Sequence, residues 1–257
     1  MAEKIRVAVL GACGKMGREV VKAVDEAPDT ELVGACDVAG AGSVLAGVNV
    51  EADFESMLKG SAPDVVVDFA KPFDIGHVTR AIELGVVPIV GTTGQTPEDL
   101  ESIDAFAREK GVGAMVIPNF AIGAVLMMRF ACEAARYMPC AEIIELHHDK
   151  KVDAPSGTSI KTAEMLNQAR EEAGVEAAEP AGGDAPSRGD LKSGVRVHSV
   201  RLPGLVAHQE VLFGGTGQIL SIRHDSIDRT SFMPGVLLAV RRAAEIQGLI
   251  YGLDKLL

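Results

Sequence analysis

The 257-residue chain carries 25 Lys and Arg against 36 Asp and Glu, a formal net charge of −11 that disfavours nucleic acid and anionic membranes as partners. Its 47% hydrophobic content fills a real core, and its length suits one large α/β domain or two smaller ones. No signal-peptide layout is present and no apolar run approaches the ~20 residues that span a bilayer. The four cysteines, Cys13, Cys36, Cys132 and Cys140, lack CxxC spacing, so a cytoplasmic protein without a metal site or disulfide framework is expected.

Ile5 to Leu10 (IRVAVL) is a short run rich in β-branched residues, and it ends at GACGKMG, where Gly11, Gly14 and Gly17 punctuate the start of a helix. That helix reads from about Lys15 to Glu26, with Met16, Val20 and Val24 on one face. A second strand, Glu31 to Asp37, ends in a carboxylate. A side chain at Gly11 or Gly14 would hold the backbone away from a pyrophosphate, and Gly17 lets helix and strand pack closely. The helix N-terminus supplies free N–H groups and a positive dipole end. Asp37 lies twenty residues after Gly17, the offset of roughly 20 at which an acid accepts hydrogen bonds from an adenosine ribose. Strand, glycine loop, helix, strand and acid together predict a dinucleotide-binding unit.

Two more α/β repeats follow: a strand at Asp64 to Phe69, a helix from about Phe73 to Leu84, a strand at Val86 to Val90, then Gly91-Thr92-Thr93-Gly94, with Pro97 opening another helix. Gly113 to Pro118 is the next predicted strand, followed by Asn119 and Phe120. These turns fall at strand C-terminal ends, where open parallel sheets bind ligands. Taken locally, each reads equally as a tight turn or as a cofactor contact.

From Ile122 to Met138 the pattern predicts a long helix, apolar nearly all round apart from a stripe of Arg129, Glu133 and Arg136, and therefore buried on most sides. Ala141 to His148 reads as a strand and Thr158 to Glu172 as a helix that Gly174 stops. The small, polar, Gly/Pro-rich residues 175–194 predict a long surface loop. Three strands follow, Val195 to Leu202, Val206 to Phe213 and Gln218 to His224, separated by Pro203-Gly204 and by GGTG at 214–217, so hairpins in an antiparallel or mixed sheet are expected. A closing helix, Met233 to Ile246, is apolar enough to dock onto another element.

Between strand and helix lies His147 to Ser159, HHDKKVDAPSGTS, which concentrates imidazoles and ammonium groups in an acidic chain. Adjacent strand residues face opposite ways, so only one of His147 and His148 enters a given cleft unless the strand ends or bulges there. Histidine exchanges a proton near neutral pH, and a lysine four residues on can hold a carboxylate or supply a proton. Ser156-Gly157-Thr158 leaves the N–H groups of Gly157 and Thr158 open at a helix start, with Ser156 or Thr158 as the cap. The set reads as a carboxylate cradle beside a proton donor.

The motifs GACGKMG, DFA at 68–70, GTTG, PNFAIG at 118–123 and EIIELHHDKKVDAPSGT at 142–158, in this order through most of the chain, resemble the dihydrodipicolinate reductase family of lysine biosynthesis. The resemblance implies a Rossmann-like N-terminal domain with a parallel sheet, formed by 1–120 and 229–257. A C-terminal α+β domain with a mixed sheet, 121–228, would bind substrate and assemble a homotetramer. It further implies NAD(P)H-dependent reduction of a cyclic unsaturated dicarboxylate, 4-hydroxy-tetrahydrodipicolinate, to tetrahydrodipicolinate. His147 would then be the acid that protonates the carbon next to the hydride acceptor and Lys151 the second catalytic group, with His148, Ser156, Gly157 and Thr158 completing substrate binding. Gly11, Ala12, Cys13, Gly14, Lys15, Met16, Asp37, Gly91, Thr92, Thr93, Ile117, Pro118, Asn119 and Phe120 would contact the cofactor. Arg229, near the return to the first domain, resembles a family arginine that closes over the cofactor or the hinge.

Two departures matter. Ala70 stands where family members often carry a hydroxyl residue, and Val38, not a base, follows Asp37, with Lys15 as the one nearby cation. A carboxylate at 37 repels a 2′-phosphate, so NADH is the expected preferred cofactor, with NADPH usable. Two other readings fit a Rossmann unit: a different amino-acid dehydrogenase, which HHxxK followed by SGT argues against, and a non-catalytic NAD-sensing regulator, which the His/Lys set and the lack of a basic patch argue against.

Overall fold

Strand β1 (Ile5–Leu10) and helix α1 (Lys15–Glu26) form over the predicted residues, and α1 buries Gly17, Val20, Val21 and Val24. Strand β2 (Thr30–Cys36) ends one residue before Asp37. A hairpin of β3 (Val44–Leu45) and β4 (Val48–Glu51) follows, then α2 (Phe54–Ser61), capped by the Asp53 side chain. These three elements were not expected. β5 (Val65–Asp68), α3 (Ile75–Glu83), β6 (Val87–Val90), α4 (Pro97–Lys110) and β7 (Gly113–Val116) complete the predicted repeats. The sequence supplies both ends of α4: Thr96 and Asp99 form a capping box around Pro97, and Gly111 at φ +65° ends the helix.

Helix α5 (Ile122–Ala135) is shorter than predicted, and burial on most sides does not hold. It buries one stripe, Ala124, Met127, Ala131 and Ala135, while Phe130 is 56% exposed. β8 (Cys140–His147) and α6 (Gly157–Glu172) follow, with Gly174 at φ +68° just past the end of α6. The described part of the predicted 175–194 loop carries a 3₁₀ turn, Pro186–Arg188, and a short strand, β9 (Asp190–Lys192). Then come β10 (Val195–Arg201), β11 (Ala207–Gly215) and β12 (Gln218–Ser226). The last helix, α7 (Met233–Arg242), is shorter than expected, passes into a 3₁₀ turn, and is followed by an unanticipated strand, β13 (Gly248–Tyr251).

The computed structural model describes residues 3–176 and 185–257, in two compact units: Met1–Ile122 with Phe232–Leu257, and Gly123–Ser231. In the first, the sheet runs β13-β7-β6-β5-β1-β2-β4-β3, parallel throughout except for β3 against β4. Strand order reverses at β1, which pairs β2 on one side and β5 on the other. The carboxyl ends at such a reversal form a ligand-binding crevice in α/β sheets.

In the second unit the sheet runs β12-β11-β8-β10-β9. It is mixed, as expected, but Pro203-Gly204 does not close a hairpin. β8 lies between β10 and β11, parallel to the first and antiparallel to the second. GGTG makes a tight hairpin, pairing Gly215 with Gln218, and Ser193-Gly194 makes another between β9 and β10, pairing Lys192 with Val195. One face of this sheet packs Ile143, Val197, Val211 and Phe213 against Ala131, Ala135, Ala163 and Leu166 of α5 and α6. Because strand side chains alternate, that same face carries Glu145 and His147 at the end of β8.

Candidate active site

All the residues expected at a dinucleotide lie on one edge of the first sheet, following the C-terminal ends of adjacent strands. Gly11 to Met16 follow β1, Asp37 follows β2, Gly91 to Thr93 follow β6, and Ile117 to Phe120 follow β7. Gly11 has φ +75°, and a Cβ there would sit 2.8 Å from the Ala70 nitrogen, so the turns after β1 and β5 touch as only glycine permits. The Asp37 carboxylate is held by two backbone donors, the Cys13 N–H at 3.0 Å and the Ala39 N–H at 2.9 Å. It therefore ties the glycine loop to the end of β2. Val38 beyond it is 82% exposed.

Helix α1 opens at Gly14 with no side-chain cap and no acid in its first turn. Its first N–H groups and dipole are thus uncompensated, and Gly14 leaves the approach clear, which fits a pyrophosphate. Lys15 is exposed and Met16 half-buried at this end. Arg18 adds a cation that the sequence reading passed over, its Nε donating to the Cys13 carbonyl at 3.0 Å.

The turn at Gly91 is explained by packing: a Cβ there would lie 2.3 Å from the Phe69 ring, which in turn packs against the Phe120 ring, tilted by 49° with centroids 5.7 Å apart. Thr92 is buried with its hydroxyl unpartnered, and Thr93 is exposed. Ile117 and Phe120 are buried, Pro118 is exposed, and the Asn119 side chain accepts from the Ala121 N–H at 2.9 Å. Asp68, at the end of β5, is 3% exposed, and burial pushes its carboxyl up to about 6 against one compensating bond from the Ala70 N–H.

In the second unit, β8 ends at His147, so His148 lies outside the ladder and the two rings are not equivalent. His147 Nδ1 lies 2.5 Å from Glu145 Oε2, with the histidine side chain 15% exposed and that of the glutamate fully buried. Arg201, from the end of β10, grips the same carboxylate with NH1 to Oε2 at 2.8 Å and NH2 to Oε1 at 2.7 Å. Burial would raise the Glu145 carboxyl, but the bonds from His147, Arg201 and Ser199 outweigh it and lower it to about 2.

Oε1 also accepts the Ser156 N–H at 3.2 Å, which fixes the start of α6. Ser156, not Thr158, is the cap: its hydroxyl accepts from the Ser159 N–H at 3.2 Å and is 2.8 Å from the Ser159 hydroxyl. That hydroxyl is thus engaged at the helix start, and Ser156 is buried. The open donors of the first turn are Gly157 and Thr158. A buried chain then runs from Ser159 through Gln209 to Thr162, at 2.7 and 2.8 Å, and fastens α6 to β11.

Lys151 is paired with Asp153, both carboxylate oxygens lying within 2.8 Å of Nζ. Arg201 NH2 donates to the Asp153 carbonyl at 2.7 Å, so one guanidinium links the Lys151 loop to Glu145. The sequence reading brought forward His147, Lys151 and the helix start, and missed Glu145, Arg201 and Asp153. Strand alternation placed Glu145 beside His147, but nothing local announced Arg201, fifty-six positions away. Among the described residues no group of three or more His, Cys, Asp or Glu is arranged to hold a metal ion.

The family model described as dihydrodipicolinate reductase, N-terminus, matches residues 5–120, and that of the C-terminus matches 123–257. A 4-hydroxy-tetrahydrodipicolinate reductase of Syntrophomonas wolfei is 47% identical with all of both chains covered. One from Streptococcus gordonii is 50% identical over 98% of this chain and 99% of its own. A solved dihydrodipicolinate reductase of Paenisporosarcina sp. TG-14, with dipicolinate bound, superposes with a TM-score of 0.88 at 41% identity, covering 99% of this chain and 100% of that one. An amine dehydrogenase of Mycobacterium smegmatis, 15% identical with a TM-score of 0.65 over 97% of this chain and 95% of its own, shares the fold. With both family models matched in order and full-length relatives near half-identical, the chain belongs to the dihydrodipicolinate reductase family, the 4-hydroxy-tetrahydrodipicolinate reductases.

Proposed function

We propose that this oxidoreductase reduces 4-hydroxy-tetrahydrodipicolinate, whose hydroxyl departs as water before the hydride arrives, to tetrahydrodipicolinate, the first unit holding a pyridine nucleotide and the second the dicarboxylate. The observation that carries this reading is the linkage of His147, Lys151 and the start of α6 through one buried carboxylate and one guanidinium. A reduced nicotinamide, when bound, supplies the hydride. His147 supplies the proton to the carbon beside the hydride acceptor, through Nε2, since Nδ1 is engaged by Glu145. Lys151 exchanges Asp153 for a substrate carboxylate, and the Gly157 and Thr158 N–H groups receive the second, with His148 at the rim. Two fixed carboxylates leave the ring one orientation towards the acid.

Following NADH absorbance with freshly generated substrate tests this reading, and absence of substrate-dependent oxidation overturns it. Dipicolinate, the ligand of the Paenisporosarcina relative, is expected to compete with substrate. His147→Ala is expected to lower kcat by roughly 100-fold or more with KM for NADH little changed. An equal loss of cofactor affinity assigns His147 a structural role instead.

NADH is the preferred cofactor in this reading, supported by the fixed Asp37 carboxylate and the lack of a base at 38. Arg18 and Lys15 offset the repulsion and keep NADPH usable. Comparing kcat/KM for the two nucleotides checks this, and a large NADPH advantage refutes it. The assembly is a homotetramer joined through the second unit's sheet. Ile144, Leu146, Leu212 and Ile219 lie on the face opposite α5 and α6, with Ile219 78% exposed. Sedimentation measures the assembly size. The four free cysteines suit a cytoplasmic site, and no helix among the described residues is long and apolar enough to cross a membrane.

A further inference from the structure

Every neighbour of the Glu145 carboxylate can donate to it, the Ser199 hydroxyl included. Oε1 receives Arg201 NH2 and the Ser156 N–H, and Oε2 receives Arg201 NH1 at 2.8 Å and faces His147 Nδ1 at 2.5 Å. An unprotonated Nδ1 would set two acceptors against each other at that distance, so Nδ1 carries a proton and donates it. Whichever way a glutamine turned here, its NH₂ would face an Arg201 N–H together with the Ser156 N–H or His147 Nδ1, which is why the position calls for an acceptor-only group. Rotation is blocked as well. The carboxylate is clamped by residues of β8, β10 and the α6 start, its side chain has no exposed surface, and Arg201 is itself held by the Val200 and Asp153 carbonyls.

We infer that Glu145, clamped by Arg201, is the positioning residue of the proton donor: it fixes the His147 tautomer with Nδ1 protonated and aims Nε2 outward, an inference that rests on the role proposed for His147. The same carboxylate binds the Ser156 N–H, so one group sets both the direction of proton delivery and the place of the Gly157–Thr158 cradle. Glu145 acts through His147 and touches no reacting atom.

The test uses the full-length protein labelled with ¹⁵N-histidine. The wild-type spectrum is expected to show a proton on His147 Nδ1, with the assignment made by loss of the signal in His147→Ala. An unprotonated Nδ1 overturns the proposal, and this measurement decides even where a Glu145 variant fails to fold. Glu145→Gln is expected to lower kcat at least about 10-fold and leave KM for NADH within about 2-fold. The double variant Glu145→Gln/His147→Ala is expected to be no slower than His147→Ala alone, because a positioning residue has nothing left to position. Losses that multiply overturn the proposal in favour of an independent role. Full activity in His147→Ala overturns the assignment of His147 as the acid, while the Nδ1 spectrum still reports the Glu145 contact by itself, so the two failures are told apart.

Discussion

Two buried carboxylates show how neighbours decide the sign of an electrostatic effect. Asp68, buried with one N–H donor, is raised to about 6, whereas Glu145, buried among His147, Arg201 and Ser199, is lowered to about 2. For Asp68 the folded pKa exceeds the unfolded 3.8, so its contribution falls as pH rises from about 4 to 6 and stays low above that. Asp68→Asn keeps an acceptor for the Ala70 N–H and removes the charge. It is therefore expected to raise stability at pH 8 relative to pH 4, by at most roughly 3 kcal/mol, as read from denaturant midpoints at both values. Glu145 has the opposite sign: its contribution is full above 4.5 and is lost as pH falls towards 2. Glu145→Gln is expected to flatten the acid limb of the stability profile over that window. His147 and Lys151 were legible because histidine and lysine announce chemistry by type. Glu145 was not, because an isolated glutamate on a strand gives no hint that its charge is buried and paired.

At the scale of elements, helices with both ends written in local residues were read closely. The Thr96 to Asp99 box and Gly111 delimit α4, and the glycine loop delimits α1. A Cβ at Gly17 would lie 2.0 Å from the Gly11 carbonyl oxygen. Gly17→Ala must force α1 off the loop, at a cost of about 1–3 kcal/mol and with weakened NADH binding, measurable by thermal melts and nucleotide titration. The β3–β4 hairpin escaped the reading because its strands are minimal and its turn is Ala46-Gly47, without the Asn-Gly or Asp-Gly signal. Ala46 sits at φ +46° and is exposed. Ala46→Asn, which tolerates the left-handed region, is expected to stabilise the protein by roughly 0.5–1 kcal/mol. Overprediction at α5 has the converse origin: composition gave apolar residues all round, but burial depends on what packs there.

Across the whole molecule, the C-terminal residues complete the first unit from the far end of the chain. β13 pairs β7 in parallel, the Leu249 N–H donates to Asp104 Oδ1 at 2.7 Å, and Leu253 is 1% exposed. On α7, Gly235 comes so close that a Cβ would lie 2.0 Å from the Phe120 carbonyl oxygen. Removing residues 248–257 would leave β7 as a bare sheet edge and open the packing around Leu253. Such a truncation is expected to lower the melting temperature and reduce solubility, and an unchanged melt would show that β13 contributes nothing to the unit.

By itself the sequence determined what is local: the glycine loop and its acid twenty residues on, the strand and helix alternation, and the His/Lys/helix-start segment with the chemistry its residue types allow. These follow from period, caps and turn geometry, which act over a few residues. Only the tertiary structure decided that β8 lies between β10 and β11, that Arg201 therefore reaches Glu145, and that Ser156 spends its hydroxyl on a cap. The physical reason is that register and the pairing of buried charge depend on segments far apart in the chain, and neither leaves a period in the sequence.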